Sequence, residues 1–126
     1  MTLRFSLGFF LLTFSILFIS TTANAQDRTR GQKLFEECAA CHTLERGAQT
    51  VGPDLHGVFG RKAGTAPGFE SSPEMIKSGI VWDETTLAEY SRDPKAKVPG
   101  TKMVFNGIKQ AGQLADLVAY LKQATK

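Results

Sequence analysis

The sequence predicts an all-α domain that has helices at its two ends and long loops rich in glycine and proline between them. Near each end of residues 26–126, apolar residues recur at the three- and four-residue spacing of an amphipathic helix. Between Gly47 and Gly79 lie seven glycines and three prolines, with no alternating apolar run of strand length. We therefore expect no sheet, and we expect ordered loops in the middle of the domain.

Residues 1–25 differ from the remainder of the chain and are typical of a secretory signal peptide. They contain one charge, Arg4, an apolar run from Phe9 to Ile19 and the small-residue ending Ala23-Asn24-Ala25. The alternative is an uncleaved anchor, since the charge-free stretch is nearly as long as the roughly 20 residues that cross a bilayer. Serine, threonine and glycine dilute that stretch, so we expect cleavage after Ala25 and export of residues 26–126 to the periplasm.

The charge of the exported part excludes one large class of function. Without Arg4, 14 basic residues stand against 12 acidic ones, a formal charge of +2. This charge is too small for nonspecific nucleic-acid binding, which depends on neutralising many phosphates. Export also argues against a cytosolic thiol enzyme.

Two helices are predicted in the first part of the domain. The first runs from Arg28 to Ala40, a segment without proline that places three residues at helical spacing: Leu34, Phe35 and Cys38. The second is short, from Pro73 to Lys77. Ser72 is a favourable N-cap for it, and proline is favoured at the first helical position.

Two more helices are predicted in the second part. Asp83 can cap a helix from Glu84 to Arg92, which ends there because Pro94 disfavours helical backbone at the residue before it. A loop is expected from Asp93 to Gly107. The last helix, from Ala111 to Ala124, has the clearest apolar stripe in the chain: Leu114, Leu117, Val118 and Leu121.

The long loops need something other than their own side chains to organise them. Loops of more than about 12 to 15 residues are uncommon in compact domains. A chain of about 100 residues buries only some 60 to 68% of its unfolded surface. A large buried prosthetic group would supply the missing core.

The pentapeptide Cys38-Ala39-Ala40-Cys41-His42 has the pattern that attaches c-type haem. Residues three apart on a helix share a face, so both thiols can reach the vinyl groups of one porphyrin while His42 ligates the iron. A disulfide across two residues would stabilise the fold very little. A zinc site would need four nitrogen or sulfur ligands, and a thioredoxin-like pair would need a βαβ unit that the sequence lacks.

The sixth position of the haem iron has four candidate states: Met75, Met103, His56 or no protein ligand. A methionine in an apolar stretch is by default a core residue. Met103 lies in a loop between two helices, which leaves it free to fold over the far face of the ring. This placement favours Met103 without excluding the others.

Several motifs occur in order from about Gly31 to Lys122, nearly the whole domain. They are Gly31-x-x-x-Phe35, Cys38 to His42, Gly52-Pro53-x-Leu55-His56-Gly57, Phe59-Gly60-Arg61-Lys62, Gly79-Ile80-x-Trp82, Tyr90, Pro94, Pro99-Gly100-Thr101-Lys102-Met103-x-Phe105 and Asp116-Leu117-x-Ala119-Tyr120-Leu121. With these motifs the chain resembles the class I cytochromes c, close to the mitochondrial and bacterial cytochrome c2 type. The resemblance implies that the terminal helices pack together, Gly31 and Phe35 against Leu117 and Tyr120, and that the loops wrap one covalently attached haem c.

The resemblance also implies the residues around the haem. His42 and Met103 are the implied axial ligands, and the carbonyl of Pro53 is the implied acceptor for the other ring nitrogen of His42. Four more residues are implied near the propionates and the methionine sulfur: Arg61, Trp82, Tyr90 and Thr101. Ser71 and Met75 depart from the family, which usually has tyrosine and asparagine there, so we expect an altered hydrogen-bond network.

A six-coordinate haem implies a one-electron carrier and not an enzyme, and we expect this carrier to be a monomer. Its expected partners are a quinol-cytochrome c reductase, a terminal oxidase, a photosynthetic reaction centre or a periplasmic dehydrogenase. In this family lysines guide docking at the haem edge, and five occupy suitable positions here: Lys33, Lys62, Lys95, Lys97 and Lys102. The alternative is a five-coordinate haem sensor or peroxidase-like protein in which Met103 is not bound.

Overall fold

The structure is a computed structural model, and it describes residues 23–48 and 50–126. Most of the predicted signal peptide, residues 1–22, lies outside the described residues. The described part contains five helices: α1 (Ala23–Cys38), α2 (Pro73–Lys77), α3 (Glu84–Arg92), α4 (Pro94–Lys97) and α5 (Ala111–Ala124). None of the helices described is both long enough and apolar enough to cross a bilayer.

Helices α2, α3 and α5 have the predicted bounds, whereas α1 and α4 differ from the prediction. Helix α1 starts at Ala23 instead of Arg28 and ends at Cys38 instead of Ala40. Helix α4 lies where a loop was expected. The carboxylate of Asp93 accepts a hydrogen bond from the Ala96 N–H at 3.1 Å, and Pro94 occupies the first helical position. The Asp-Pro pair that ends α3 thus also begins α4.

Within the described residues there is no strand, and the all-α prediction is confirmed. An isolated antiparallel bridge joins Lys62 and Val81. Around it, the Trp82 N–H donates to the Arg61 carbonyl at 3.0 Å, and the Gly60 N–H donates to the Trp82 carbonyl at 2.8 Å. These bonds hold Arg61 and Trp82 next to each other in space.

The two long helices α1 and α5 cross at Gly31. A Cβ atom on this residue would lie 2.2 Å from the backbone oxygen of Asp116 and 2.6 Å from Cβ of Tyr120. Phe35 belongs to one buried cluster with Leu117, and its ring centroid lies 5.7 Å from that of Tyr120. The predicted packing of the terminal helices is therefore confirmed, and it depends on the missing side chain at Gly31.

The buried apolar residues form two clusters. The α3 cluster consists of Val58, Ala63, Trp82, Leu87, Tyr90, Val98 and Val118. The terminal cluster consists of Phe35, Ile108, Leu114, Leu117 and Leu121. Leu55 and Phe59 pack against both clusters and remain only partly buried.

The N-caps of α3 and α4 predict how stability depends on pH. Backbone N–H donors, Thr86 for Asp83 and Ala96 for Asp93, hold the pKa of each carboxyl below its usual value. A carboxyl with a lowered folded-state pKa stabilises the fold above its ordinary value of about 3.9, and this contribution is lost as the pH falls through the folded pKa.

The double variant Asp83→Asn/Asp93→Asn keeps a cap oxygen at both positions but removes both charges. Its free energy of unfolding, measured with urea, is expected to fall less than that of the parent between about pH 5 and pH 2.5. We expect acid to affect the rest of the protein equally in both, so the difference reports the two carboxylates, including the 3.5 Å contact of Asp93 with Lys109 Nζ. Identical acid dependence in the two proteins would contradict this expectation.

Candidate functional site

The two cysteines and His42 lie on one turn at the end of α1. The N–H groups of Cys41 and His42 both donate to the carbonyl of Cys38, at 3.0 and 2.9 Å. Cys38 is half-buried and Cys41 is exposed, and neither forms a disulfide. Burial raises the pKa of the Cys38 thiol to about 11, and the nearby Glu37 carboxylate adds to the rise. Before any cofactor is attached, Cys38 is therefore a neutral thiol at pH 7.

The ring of His42 is fixed through its Nδ1 atom, which lies 2.8 Å from the carbonyl oxygen of Pro53. A carbonyl oxygen can only accept, so Nδ1 carries a proton, and in the neutral ring Nε2 keeps its lone pair. This is the tautomer that a metal-ligating histidine needs, with its other nitrogen held by a backbone carbonyl. Next to Pro53, the Gly52 N–H donates to the Cys41 carbonyl at 2.7 Å and joins the two segments.

Gly52 is packed directly against the His42 ring. A Cβ atom there would lie 2.5 Å from Cε1 and 2.7 Å from Nδ1 of His42. Gly52→Ala is therefore expected to displace the ring from Pro53 and to lower the free energy of unfolding of the haem-loaded protein by about 2 kcal/mol.

Guanidinium titration followed at the haem absorption band measures this loss. The control is Val51→Ala, which shortens the neighbouring side chain, itself 78% exposed. We expect the control to unfold within about 0.5 kcal/mol of the parent. Equal stability of Gly52→Ala and the control would show that the ring does not need this glycine.

The loop that carries Met103 is attached to α3 by a polar contact. The Tyr90 hydroxyl lies 2.7 Å from Oγ1 of Thr101, which also accepts a 3.3 Å hydrogen bond from the Met103 N–H. Burial raises the pKa of the Tyr90 hydroxyl, although its hydrogen bond with Thr101 acts in the opposite direction. Tyr90 therefore stays protonated at neutral pH and fixes the position of Thr101.

The other candidate ligands have different surroundings. Met75, on α2, packs against the α3 cluster as Met103 does, so packing alone does not separate the two. His56 lies three residues after Pro53, on the segment that holds His42. Its Nε2 atom is 2.9 Å from the Arg46 guanidinium. Because a guanidinium can only donate, Nε2 of His56 accepts this bond and its lone pair is engaged.

Arg61 is anchored to the same segment. It donates to the backbone carbonyls of Asp54 at 2.7 Å and His56 at 3.1 Å. Its neighbour Trp82 is 8% exposed, and the Trp82 ring lies 5.3 Å from that of Tyr90. Arg61 is thus attached to the segment that holds His42, whereas Trp82 packs against Tyr90.

Asp54 is a site residue that the sequence analysis missed. Its side chain is 5% exposed, yet it lies in a Gly-Pro-x-Leu-His stretch where an aspartate is typical of an exposed turn. The only signal was the nearby Arg61, which could pair with it. Nothing in the spacing of the two residues indicated that the carboxylate would be buried.

The apolar side chains around these residues fit a large flat cofactor. Several that pack against the two clusters are only partly buried: Leu44, Leu55, Phe59, Met75, Ile80, Met103 and Phe105. Large apolar side chains left half-exposed in this number are typical of a surface that something else covers. Two free thiols and a histidine with an available Nε2 lie on the adjoining turn, which is the donor set that haem c requires.

Comparison with known proteins agrees with this donor set. The Cytochrome c family model matches residues 29–125. The chain is 47% identical to "Cytochrome c2" of Blastochloris viridis over 117 residues, 92% of this chain and 89% of that protein. It is 53% identical to "Cytochrome c2 iso-2" of Magnetospirillum fulvum over 88 residues, 70% of this chain and 92% of that protein. It is also 48% identical to "Cytochrome c" of Sesamum indicum over 97 residues, 75% and 87% of the two chains.

The family match spans nearly all of the described residues and includes both cysteines, His42 and the loop with Met103. The attachment turn, the orientation of His42 and the half-covered apolar surface therefore have one explanation: the chain belongs to the cytochrome c family, carries covalent haem c and transfers electrons without being an enzyme.

Proposed function

We propose that this chain is a monomeric periplasmic electron carrier in which His42 and Met103 are the axial ligands of one haem c. The observation that carries the proposal is the 2.8 Å contact between His42 Nδ1 and the Pro53 carbonyl, which leaves Nε2 free. Met103 is supported as the second ligand by its loop, which Thr101 and Tyr90 attach to the body of the protein.

Each residue of the site has a separate task in this proposal. Cys38 and Cys41 form the two thioethers that retain the cofactor outside the cytoplasm. When bound, haem c supplies an iron that accepts and releases one electron, and a thioether ligand favours its reduced state. With His42 and Met103 both holding the iron, no position would remain for a substrate, and the five-coordinate sensor or peroxidase-like alternative is not favoured.

Four residues are proposed to lie near the haem propionates and the sulfur of Met103. They are Arg61, Trp82, Tyr90 and Thr101. Arg61 uses two N–H groups on backbone carbonyls of its own chain. A guanidinium has five N–H groups, so donors remain for a propionate. The backbone of Trp82 pairs with that of Arg61, which suits the proposed role of its indole N–H as a second donor to a propionate.

Lysines at the haem edge are proposed to steer acidic partners. Lys33, Lys62, Lys95 and Lys102 are exposed, which suits this role. Lys97 is 30% exposed, and its Nζ lies 2.5 Å from the Glu89 carboxylate, so we expect its contribution to be smaller. Next to Lys102 and Met103, Val104 is 98% exposed and can contribute apolar contact area. The proposed partners are a quinol-cytochrome c reductase, a terminal oxidase, a reaction centre or a dehydrogenase.

Charge reversal at two of these lysines tests the docking surface. We expect Lys62→Glu/Lys102→Glu to lower the second-order rate of electron transfer to an acidic terminal oxidase about tenfold at low ionic strength, with the difference fading at high salt. The control is Arg28→Glu/Lys126→Glu, which makes the same change in net charge at two exposed residues outside the proposed set. Equal rates for the two double variants would overturn the proposed surface.

The proposed location rests on the segment before the domain. We expect the protein recovered from the periplasmic fraction to begin at Gln26, since cleavage is predicted after Ala25. Intact mass of the haem-loaded protein measures this directly. A mass that includes residues 1–25, together with membrane association, would indicate the uncleaved anchor instead.

A further inference from the structure

We propose that the buried carboxylate of Asp54 positions Arg61 and partly cancels its charge, and so keeps the reduction potential of the protein below the value that Arg61 alone would set. Asp54 acts through Arg61 and is not expected to touch the cofactor. The inference rests on the proposed function, because it requires Arg61 to lie beside the haem.

Each carboxylate oxygen of Asp54 accepts one backbone hydrogen bond. Its Oδ2 atom accepts a 3.1 Å hydrogen bond from the Gly47 N–H, and its Oδ1 atom accepts one of the same length from the His56 N–H. These bonds tie the segment after His42 to the segment that carries the Pro53 carbonyl. They require two acceptor atoms but no charge.

The charge of Asp54 meets a specific partner in Arg61. Nη1 of Arg61 lies 3.7 Å from Oδ1 of Asp54, and the two side chains are only 14% and 5% exposed. Nη2 of the same guanidinium donates to the backbone carbonyl of Asp54. One residue therefore holds Arg61 through both its backbone and its side chain, and the orientation of the guanidinium follows from that of Asp54.

Because little of the Asp54 and Arg61 side chains is exposed, their charges are expected to affect the reduction potential of the haem iron. A charge in a region with little water is screened much less than one on the surface, so it acts over a longer distance. Reduction adds one electron, which a nearby cation favours and a nearby anion opposes. Asp54 opposes the effect of Arg61, and the net effect of the pair is smaller than that of the guanidinium alone.

Asp54→Asn removes the charge with little change of shape, at the loss of one of the two hydrogen bonds from the Gly47 and His56 N–H groups. The amide retains one acceptor oxygen and nearly the same volume, but the negative charge is gone. We expect the ratio of reduced to oxidised protein at a fixed applied potential to rise between about threefold and tenfold, and a tenfold rise corresponds to about 59 mV for a one-electron couple. Asp54→Ser removes the same charge with a smaller side chain and serves if the amide prevents folding.

Two comparisons make the test specific to the pair. Glu45→Gln removes the same formal charge from an exposed residue of the neighbouring loop, and we expect a shift of less than about twofold because water screens it. Arg61→Gln removes the opposing charge and is expected to shift the ratio in the opposite direction, with the double variant lying between the two single variants because both charges of the pair are then gone.

The potential is measured by spectroelectrochemistry on haem-loaded protein whose methionine-to-iron absorption band is intact. A shift no larger than that of Glu45→Gln, or a shift of Arg61→Gln in the same direction as that of Asp54→Asn, would overturn the inference. Failure of both neutral variants to hold haem would assign Asp54 a purely structural role and would also overturn it. Absence of the methionine band from the parent protein would instead contradict the proposed axial ligands, so the two failures are distinguishable.

Discussion

Met103→Ala is expected to leave His42 as the single protein ligand of the iron and to make the reduced protein bind carbon monoxide readily. The thioether favours the reduced state, so its loss should also lower the reduction potential by more than about 59 mV, a tenfold change in the equilibrium. The weak methionine-to-iron band in the oxidised spectrum should disappear. Absorption spectra of both oxidation states, with and without carbon monoxide, measure all of these changes except the potential, which needs a redox titration.

Met75→Leu tests the other candidate methionine, because Met75 packs against the α3 cluster as Met103 does. The change conserves volume and removes a sulfur atom. We expect this variant to keep the methionine band and to exclude carbon monoxide. The opposite pattern, with the band lost in Met75→Leu and kept in Met103→Ala, would make Met75 the ligand.

Gly31→Ala is expected to destabilise the protein by about 3 kcal/mol, the upper part of the usual range for overpacking. The added Cβ would meet the Asp116 carbonyl oxygen at 2.2 Å, and its carbonyl carbon at 2.9 Å. Both atoms are backbone, so relief requires α1 and α5 to move apart. That movement would also disturb the 2.9 Å ion pair of Arg30 with Asp116, whose side chain is 10% exposed.

The control for Gly31 is Gly112→Ala, in α5, where an added Cβ would have no neighbour within 4 Å. Alanine is favoured over glycine in a helix by up to about 1 kcal/mol, so this variant should be no less stable than the parent. Chemical unfolding of the two variants and the parent measures the difference. Equal stability of Gly31→Ala and Gly112→Ala would show that the helices do not cross as closely as described.

The sequence predicted best the elements that are specified locally. Helices α2, α3 and α5 had the bounds seen in the structure because each carries its own signals: Ser72 and Asp83 as N-caps and an apolar stripe in α5. Helix α4 was missed because Pro94 was interpreted only as the end of α3. The same residue also begins the next helix, once the Asp93 carboxylate accepts from the Ala96 N–H.

The site was predictable where a covalent motif or a family motif fixed it. The attachment pentapeptide identified the cofactor, and the cytochrome c relatives agree with it. Contacts between distant segments were not predictable in the same way. The burial of Asp54 depends on the N–H groups of Gly47 and His56, which only the folded loops bring to it. The pairing of Lys97 with Glu89 likewise depends on how α3 and α4 meet, and spacing alone did not indicate it.

The structure shows the surroundings of Ser71 and Met75, the two residues that depart from the family pattern. Both side chains are half-buried, and Met75 lies on α2 among the apolar residues around the α3 cluster. The neighbouring Ser72 is buried and accepts the Met75 N–H as the N-cap of α2. A thioether in this place cannot donate a hydrogen bond, so Met75 cannot supply the side-chain N–H that an asparagine would.

The central claim, a six-coordinate haem held by His42 and Met103, is tested most directly by the absorption spectrum of the exported protein, oxidised and then reduced, with and without carbon monoxide. The account predicts sharp reduced bands of c-type haem, the weak methionine-to-iron band in the oxidised state and no response to carbon monoxide. Ready binding of carbon monoxide by a protein without the methionine band would contradict it, because the iron would then have an open site.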